Sequence, residues 1–298
     1  MCIPSYGENY LFKKTLHYDN NNLTLNNNNN NNNNTGEINQ HHLPKAIIIG
    51  VKKCGTRALL KFISAHPDVA ASLNEVHFFD QNYHNGLDWY RNQMPLSSPH
   101  QITMEKTPQY FINNRSVYRI AKTFSNIDLK LIIIIRNPII RAISDYVQLT
   151  TKRKSNLTFE DYVFIKNSTI VNEQWTPLKI GCYSRYLIKW LKYFSLNQIH
   201  FVDGENLIKR PWEELLRVQQ FLNLTIHIQR KHFYFNRYKR SFPCIKDHFH
   251  PTKNGCLGSS KGRKHPKIRD ETRIVLENYY KTCNNRLKQI AKINFPWL

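Results

Sequence analysis

The sequence predicts an α/β protein with a central parallel sheet flanked by helices. Three observations carry this. Two continuous apolar runs, IIIG at 47–50 and LIIII at 131–135, are rich in β-branched residues. Runs of that kind suit parallel strands covered on both faces. Helical patterns lie between and after them, and alternation of strand and helix implies right-handed crossovers. A short loop bearing glycine and lysine, residues 51–55, joins the first run to the helix that follows.

The elements follow in order. Residues 1–44 form a separate compositional region that includes the run Asn26 to Asn34. Such a segment has too little apolar surface to pack, so 1–44 reads as a disordered tail or linker. Residues 45–298 read as one large domain. After the first strand, a helical pattern covers Thr56 to Ala65. Another, Ser116 to Phe124, precedes the second strand. The helix Pro138 to Leu149 starts with proline at its first position, where a missing N–H costs nothing. IHFVD at 199–203 is a third strand. Tyr183 to Phe194 and Pro211 to Leu222 are amphipathic, and Ile268 to Ile293 reads as a long, interrupted helical region.

The loop after the first strand is the most informative stretch. Backbone N–H groups in a tight turn at a helix N-terminus hold phosphate-like anions. Gly50 and Gly55 have the spacing of G-x-x-x-x-G-K-[ST], but Thr56 and Arg57 follow where that motif needs lysine and a Mg²⁺-binding hydroxyl. The lysines stand inside the loop instead, as Lys52 and Lys53. The pattern fits an anion clamp without the usual Mg²⁺ ligand. A sulfated or phosphorylated nucleotide is favoured over a nucleoside triphosphate.

Composition narrows the partner. Forty-three Lys and Arg against 21 Asp and Glu give a formal net charge of +22. Self-repulsion on that scale points to a polyanionic partner, nucleic acid or sulfated polysaccharide. No RNA-stacking motif or recognition-helix signature supports nucleic acid. None of the six cysteines forms C-x-x-C, and no Cys/His spacing matches a zinc site, so no metal is expected. Cys244 and Cys256 flank a polar loop. Their spacing leaves open a bridge worth roughly 3 kcal/mol or two buried thiols. Sequons begin at Asn22, Asn33, Asn114, Asn156, Asn167 and Asn223, some of them by chance in so asparagine-rich a chain. No apolar stretch reaches membrane-spanning length, and residues 1–17 show no signal-peptide core.

Four further clusters carry chemistry. NEVHFFD at 74–80 holds Glu75, His77 and Asp80; in extended conformation Glu75 and His77 share a face. A carboxylate there could deprotonate a hydroxyl, and a solvated strand end is the plainer reading. In QITMEKTPQYF at 101–111, Pro108 keeps Thr107 out of helix, and Lys106 in that loop could neutralise a transferring group. In IIIIRNPIIRAISDY at 132–146, Arg136 ends a strand and Ser144 lies two turns into the next helix, a pairing suited to a terminal phosphate. SSKGRKHP at 259–266 places Lys261, Arg263, Lys264 and His265 around Gly262, as in a loop that folds over an anion.

Taken in order with GLDWY, HFYFN and CLGSSKGRKHP, these segments resemble the heparan sulfate glucosamine 3-O-sulfotransferase family from about Ala46 to Trp297. The resemblance is closer to the broader-acceptor branch. It implies the sulfotransferase fold, a P-loop-NTPase-like parallel sheet that binds 3′-phosphoadenosine 5′-phosphosulfate (PAPS) as co-substrate. It implies transfer of a sulfuryl group to the glucosamine 3-OH of a heparan sulfate chain. Lys53, Cys54, Gly55, Thr56 and Arg57 match the 5′-phosphosulfate loop, and Arg136 and Ser144 the 3′-phosphate site. Lys261, Gly262, Arg263, Lys264 and His265 fall in the loop that closes over the nucleotide. Glu75 matches the catalytic base, supported by His77 and Asp80, and Lys106 a lysine at the sulfuryl and acceptor site. Trp175 and Thr176 match an acceptor-contact segment, and Cys244 and Cys256 the family disulfide. Golgi lumen or membrane is the implied location, with an N-terminal anchor that family members carry. Two departures stand out: Cys54 replaces the usual glycine, and Asn137 replaces the usual aspartate after the strand arginine. They keep alive a non-catalytic polyanion-binding protein on the same fold. A sulfotransferase acting on another acceptor position is a further alternative.

Overall fold

The computed structural model describes residues 39–166, 168–235, 242–246, 255–258 and 262–298. Lys261, the sequons at Asn22, Asn33 and Asn167, and most of the 1–44 tail lie outside the described residues. The chain begins with β1 (Gln40–His41), β2 (Ala46–Gly50), α1 (Thr56–Ile63), β3 (Val69–Ala71), α2 (Gly86–Asn92), β4 (Leu96–Ser97) and β5 (Ile102–Lys106). It continues through α3 (Asn114–Thr123), β6 (Lys130–Ile135), α4 (Pro138–Arg153), α5 (Phe159–Val163), α6 (Thr176–Gly181), α7 (Tyr183–Trp190) and β7 (Ile199–Asp203). Last come α8 (Gly204–Lys209), α9 (Pro211–Phe221), β8 (Phe233–Tyr234), β9 (Cys244–Ile245) and α10 (Asp270–Ala291).

Five parallel strands form the central sheet in the order β3-β5-β2-β6-β7. The expected strands 47–50, 131–135 and 199–203 are β2, β6 and β7. Ile47, Ile48 and Ile49, with Leu131 to Ile135, have no exposed surface, as a sheet covered on both faces requires. β3 and β5 were not read from sequence as strands. β5 contains the segment read as a loop around Lys106, so that lysine instead ends a strand. α10 is one continuous helix, where the sequence suggested an interrupted one.

The strand-to-helix turns are set by local chemistry. Asn137 caps α4 by accepting from the Ile139 and Ile140 amides at 2.9 and 3.3 Å, with Pro138 at the first helical position. Asn113 caps α3 and Asp203 caps α8 in the same way. These turns cluster at the carboxyl ends of β2, β5, β6 and β7, the edge where open parallel sheets bind ligands. A second apolar cluster, built on Ile143, Phe159, Leu178 and Tyr280, ties α4, α5, α6 and α10 together.

Two disulfides are present. Cys244–Cys256 forms as the resemblance implies. Cys182–Cys283 bridges the α6–α7 junction to α10 across 101 residues and was not foreseen.

Candidate active site

The anion loop leaves β2 and turns back into α1. Lys53 is left-handed (φ 75°), and so is Gly55 (φ 114°), where a side chain would be strained. Cys54 between them is outside that region of conformational space and wholly buried. Its Sγ lies 3.7 Å from the Tyr183 hydroxyl, and burial pushes the thiol up to about 11, so it stays protonated and inert. Gly204 packs so tightly on the loop that a Cβ there would stand 2.5 Å from the Cys54 carbonyl oxygen. No side chain caps α1 and its first turn has no acid, so the helix start presents amide donors to the cleft.

A cleft of about 450 Å³ opens above this loop. From the loop and α1 it is lined by Lys53, Gly55, Thr56 and Arg57, with Lys52 beside them. Glu75, His77 and Lys106 form one wall, and Arg136 and Ser144 another. Gly262, Arg263 and His265 reach in from the segment before α10. Among the described residues of the lining Glu75 is the only acid. Cys54 supports the floor without lining it. Asp80 stands behind His77, and Lys264 is exposed outside the lining. Trp175 precedes α6 and Thr176 begins it, away from the cleft lining; Trp175 packs against the second apolar cluster and stacks on Tyr162 at 5.5 Å.

Glu75, His77, Asp80 and Lys106 meet in one chain of contacts. Lys106 Nζ, with its side chain 1% exposed, donates to Glu75 Oε1 at 2.5 Å. Glu75 Oε2 faces His77 Nε2 at 3.4 Å, and His77 Nδ1 faces Asp80 Oδ2 at 2.9 Å. Glu75 and His77 do converge, but not through extended backbone. His77 turns left-handed (φ 53°), and a wide helical turn follows in which the Gln81 and Asn82 amides both bond the His77 carbonyl. A non-glycine residue held there costs energy that its surroundings must offset.

Several partners were invisible in the sequence. Lys53 Nζ donates to Gln148 at 2.9 Å, 95 residues away. Arg136 donates through Nε and Nη2 to the two oxygens of Glu205, at 2.9 and 3.2 Å. Arg141 is fully buried beneath the loop, paired with Asp145 at 3.0 Å, and Asp145 also holds Lys52 at 3.0 Å. His265 is held below the usual imidazole value, first by burial and then by the Arg136 charge.

Comparison with known proteins fits this arrangement. The family model for a sulfotransferase domain matches residues 43–290. The chain is 43% identical to heparan sulfate glucosamine 3-O-sulfotransferase 6 of Homo sapiens over 258 residues, covering 87% of this chain and 75% of that protein. The chain belongs to the heparan sulfate glucosamine 3-O-sulfotransferase family. With heparan sulfate glucosamine 3-O-sulfotransferase 3B1 of Mus musculus it shares 47% identity over 256 residues, 86% of this chain and 65% of that protein. It thus spans a little under two thirds of that relative's length. The crystal structure of a sulfotransferase from Alicyclobacillus acidocaldarius superposes with a TM-score of 0.65 at 17% identity, covering 86% of this chain and 99% of that one. That likeness shows the sulfotransferase fold.

Both departures from the 3-O-sulfotransferase pattern have a physical account. The position of Cys54 needs a small buried side chain, not positive φ. Asn137 keeps the helix cap that aspartate would form. Glu205 supplies the carboxylate that pairs with Arg136.

Proposed function

We propose that this chain transfers a sulfuryl group from PAPS to the 3-hydroxyl of glucosamine residues in heparan sulfate. The single observation that carries the reading is Glu75, the lone acid among the described residues of a cationic cleft, set between Lys106 and His77. Family membership supplies the substrate class. The site suits the nucleotide: loop amides, the uncapped start of α1, Lys53 and Arg57 would hold its 5′ end. Arg136 and Ser144 would hold the 3′-phosphate, and Gly262, Arg263 and His265 would cover it. When bound, PAPS supplies the sulfuryl group.

Glu75 takes the proton from the incoming sugar hydroxyl. His77, braced by Asp80, fixes the direction of the Glu75 carboxylate. The Lys53 and Lys106 ammonium groups stand where negative charge grows, and donors placed in advance stabilise it without reorganising. The excess of cations would hold the acceptor polyanion. Two disulfides fit an oxidising compartment such as the Golgi lumen. Among the described residues no helix is long and apolar enough to cross a membrane.

The test is sulfate transfer from radiolabelled PAPS to heparan sulfate, followed by disaccharide analysis. Labelled 3-O-sulfoglucosamine is expected. Label at the nitrogen or the 6-position would move the chain to another acceptor. No transfer and no binding of adenosine 3′,5′-bisphosphate would return it to a polyanion-binding role. Glu75→Gln should keep nucleotide binding and lower kcat by about 10²- to 10⁴-fold; near-normal turnover would remove Glu75 as the base.

A further inference from the structure

The turn that carries His77 has three consecutive amides to satisfy, and no side chain of its own does so. The partners come from β5 and the turn after it. The His77 N–H is directed at Thr107 Oγ1 at 3.4 Å. The Phe78 and Phe79 N–H groups donate to the Tyr110 hydroxyl at 2.9 and 3.4 Å. Both hydroxyls therefore act as acceptors, and each must place its own hydrogen elsewhere. Thr107 donates to Glu105 Oε2 at 2.8 Å, and the Tyr110 hydroxyl faces both Thr107 and Glu105. Tyr90 donates to Glu105 Oε1 at 2.9 Å. Glu105 has no exposed surface and touches neither the cleft nor any cation-bearing side chain as a hydrogen-bond partner.

An ionised carboxylate can only accept, so Glu105 sets the direction of the hydroxyl bonds made to it. We propose that Glu105 is a positioning residue: its carboxylate aligns the Thr107 and Tyr110 hydroxyls as caps for amides 77–79, and so holds His77 against Glu75. The proposal rests on the sulfuryl-transfer reading only for its kinetic consequence. The geometry stands without it.

Protonation of Glu105 turns one acceptor into a donor. Where that oxygen faces Thr107 or Tyr110, the hydroxyl loses its acceptor and is no longer held in the orientation that caps the amide. Burial raises the carboxyl to about 7, opposed by hydrogen bonds from Thr107, Tyr90 and Tyr110 and by the Lys106 charge. Those tyrosines, from α2 and from the turn after β5, and Lys106 beside it on β5 are the titratable groups that face it. The caps are thus held best above about pH 7 and weaken as pH falls through that value.

Amide hydrogen exchange and steady-state kinetics on wild type and Glu105→Gln test this. The glutamine amide is nearly isosteric but brings donors where the carboxylate accepts. Exchange at residues 77–79 should quicken about tenfold, the worth of one hydrogen bond, and kcat should fall by a similar factor. KM for the nucleotide should stay within about twofold, because the anion loop is untouched. The wild-type acid limb near pH 7 should be absent from the variant. Thr107→Val should reproduce the exchange effect at His77, and Thr107→Ser should restore it. If Glu105→Gln does not fold, Tyr110→Phe provides the same readout at Phe78 and Phe79. Unchanged exchange at 77–79 in a folded variant would overturn the proposal. A wild-type protein that shows the exchange pattern but transfers no sulfate would sink the enzymatic reading and leave the positioning network intact.

Discussion

Replacing Arg141 with methionine probes how the anion loop is held up from below. The guanidinium is fully buried. Nη1 donates to Asp145 Oδ2 at 3.0 Å and reaches the Lys52 carbonyl at 3.5 Å, and Nη2 donates to the Pro177 carbonyl. Methionine fills much of the volume but leaves Asp145, whose side chain is 7% exposed, with Lys52 as its remaining charge partner among the described residues. Breaking a buried pair from one side costs about 3–5 kcal/mol. A domain of this size shifts by about 2–4 °C per kcal/mol, so Tm should fall by about 6–20 °C. The assay is thermal unfolding by circular dichroism, paired with calorimetric titration of adenosine 3′,5′-bisphosphate. Affinity should drop too, since the Lys52 carbonyl lies within the loop. Arg141→Met with Asp145→Leu should recover about half of the lost stability, because Lys52 is partly exposed and can be solvated. The same pair gives a pH signature. Burial alone would raise the Asp145 carboxyl, but the Arg141 and Lys52 charges outweigh it and hold the group below its ordinary value. Its folded value is therefore depressed, so its stabilisation is complete above the unfolded value and lost as pH falls through the folded one. Wild type should lose more stability than Arg141→Met between about pH 5 and pH 3. A Tm change under about 2 °C with unaltered nucleotide affinity would refute the reasoning.

Two further predictions concern the loop. Gly204→Ala would put a methyl 2.5 Å from the Cys54 carbonyl and 3.1 Å from that of Ile135, both backbone atoms that cannot swing aside. It should cost about 1–3 kcal/mol and weaken nucleotide binding, measured by the same melt and titration. Cys54, buried with its thiol raised to about 11, should resist iodoacetamide at pH 8 in the native protein and react after unfolding, as peptide mapping would read. Native-state labelling would show that the loop opens.

The sheet was legible in the sequence where burial alone defines a strand. β2, β6 and β7 advertise themselves through apolar, β-branched runs. β3 and β5 do not: VAA is too short, and ITMEK ends in two charged residues that are buried only because distant groups meet them. Glu105 is matched by Tyr90 and Thr107, and Lys106 by Glu75, 31 residues earlier. The candidate site residues were legible as clusters, since the anion loop and NEVHFFD are local in sequence. Their partners were not. Gln148 under Lys53, Glu205 on Arg136 and the caps at 77–79 depend on which strand ends the topology brings together. Spacing also gave no hint of Cys182–Cys283.

That bridge has a topological consequence. Everything from the end of α6 to the middle of α10, including β7 at the sheet edge, forms a covalent ring of chain, with the smaller Cys244–Cys256 ring nested inside it. A single backbone cut between Cys182 and Cys244, or between Cys256 and Cys283, opens the large ring without separating the pieces. The protein nicked there would run as one species on a non-reducing gel and as two once a reductant is added, so the gel reports the closure of the ring directly.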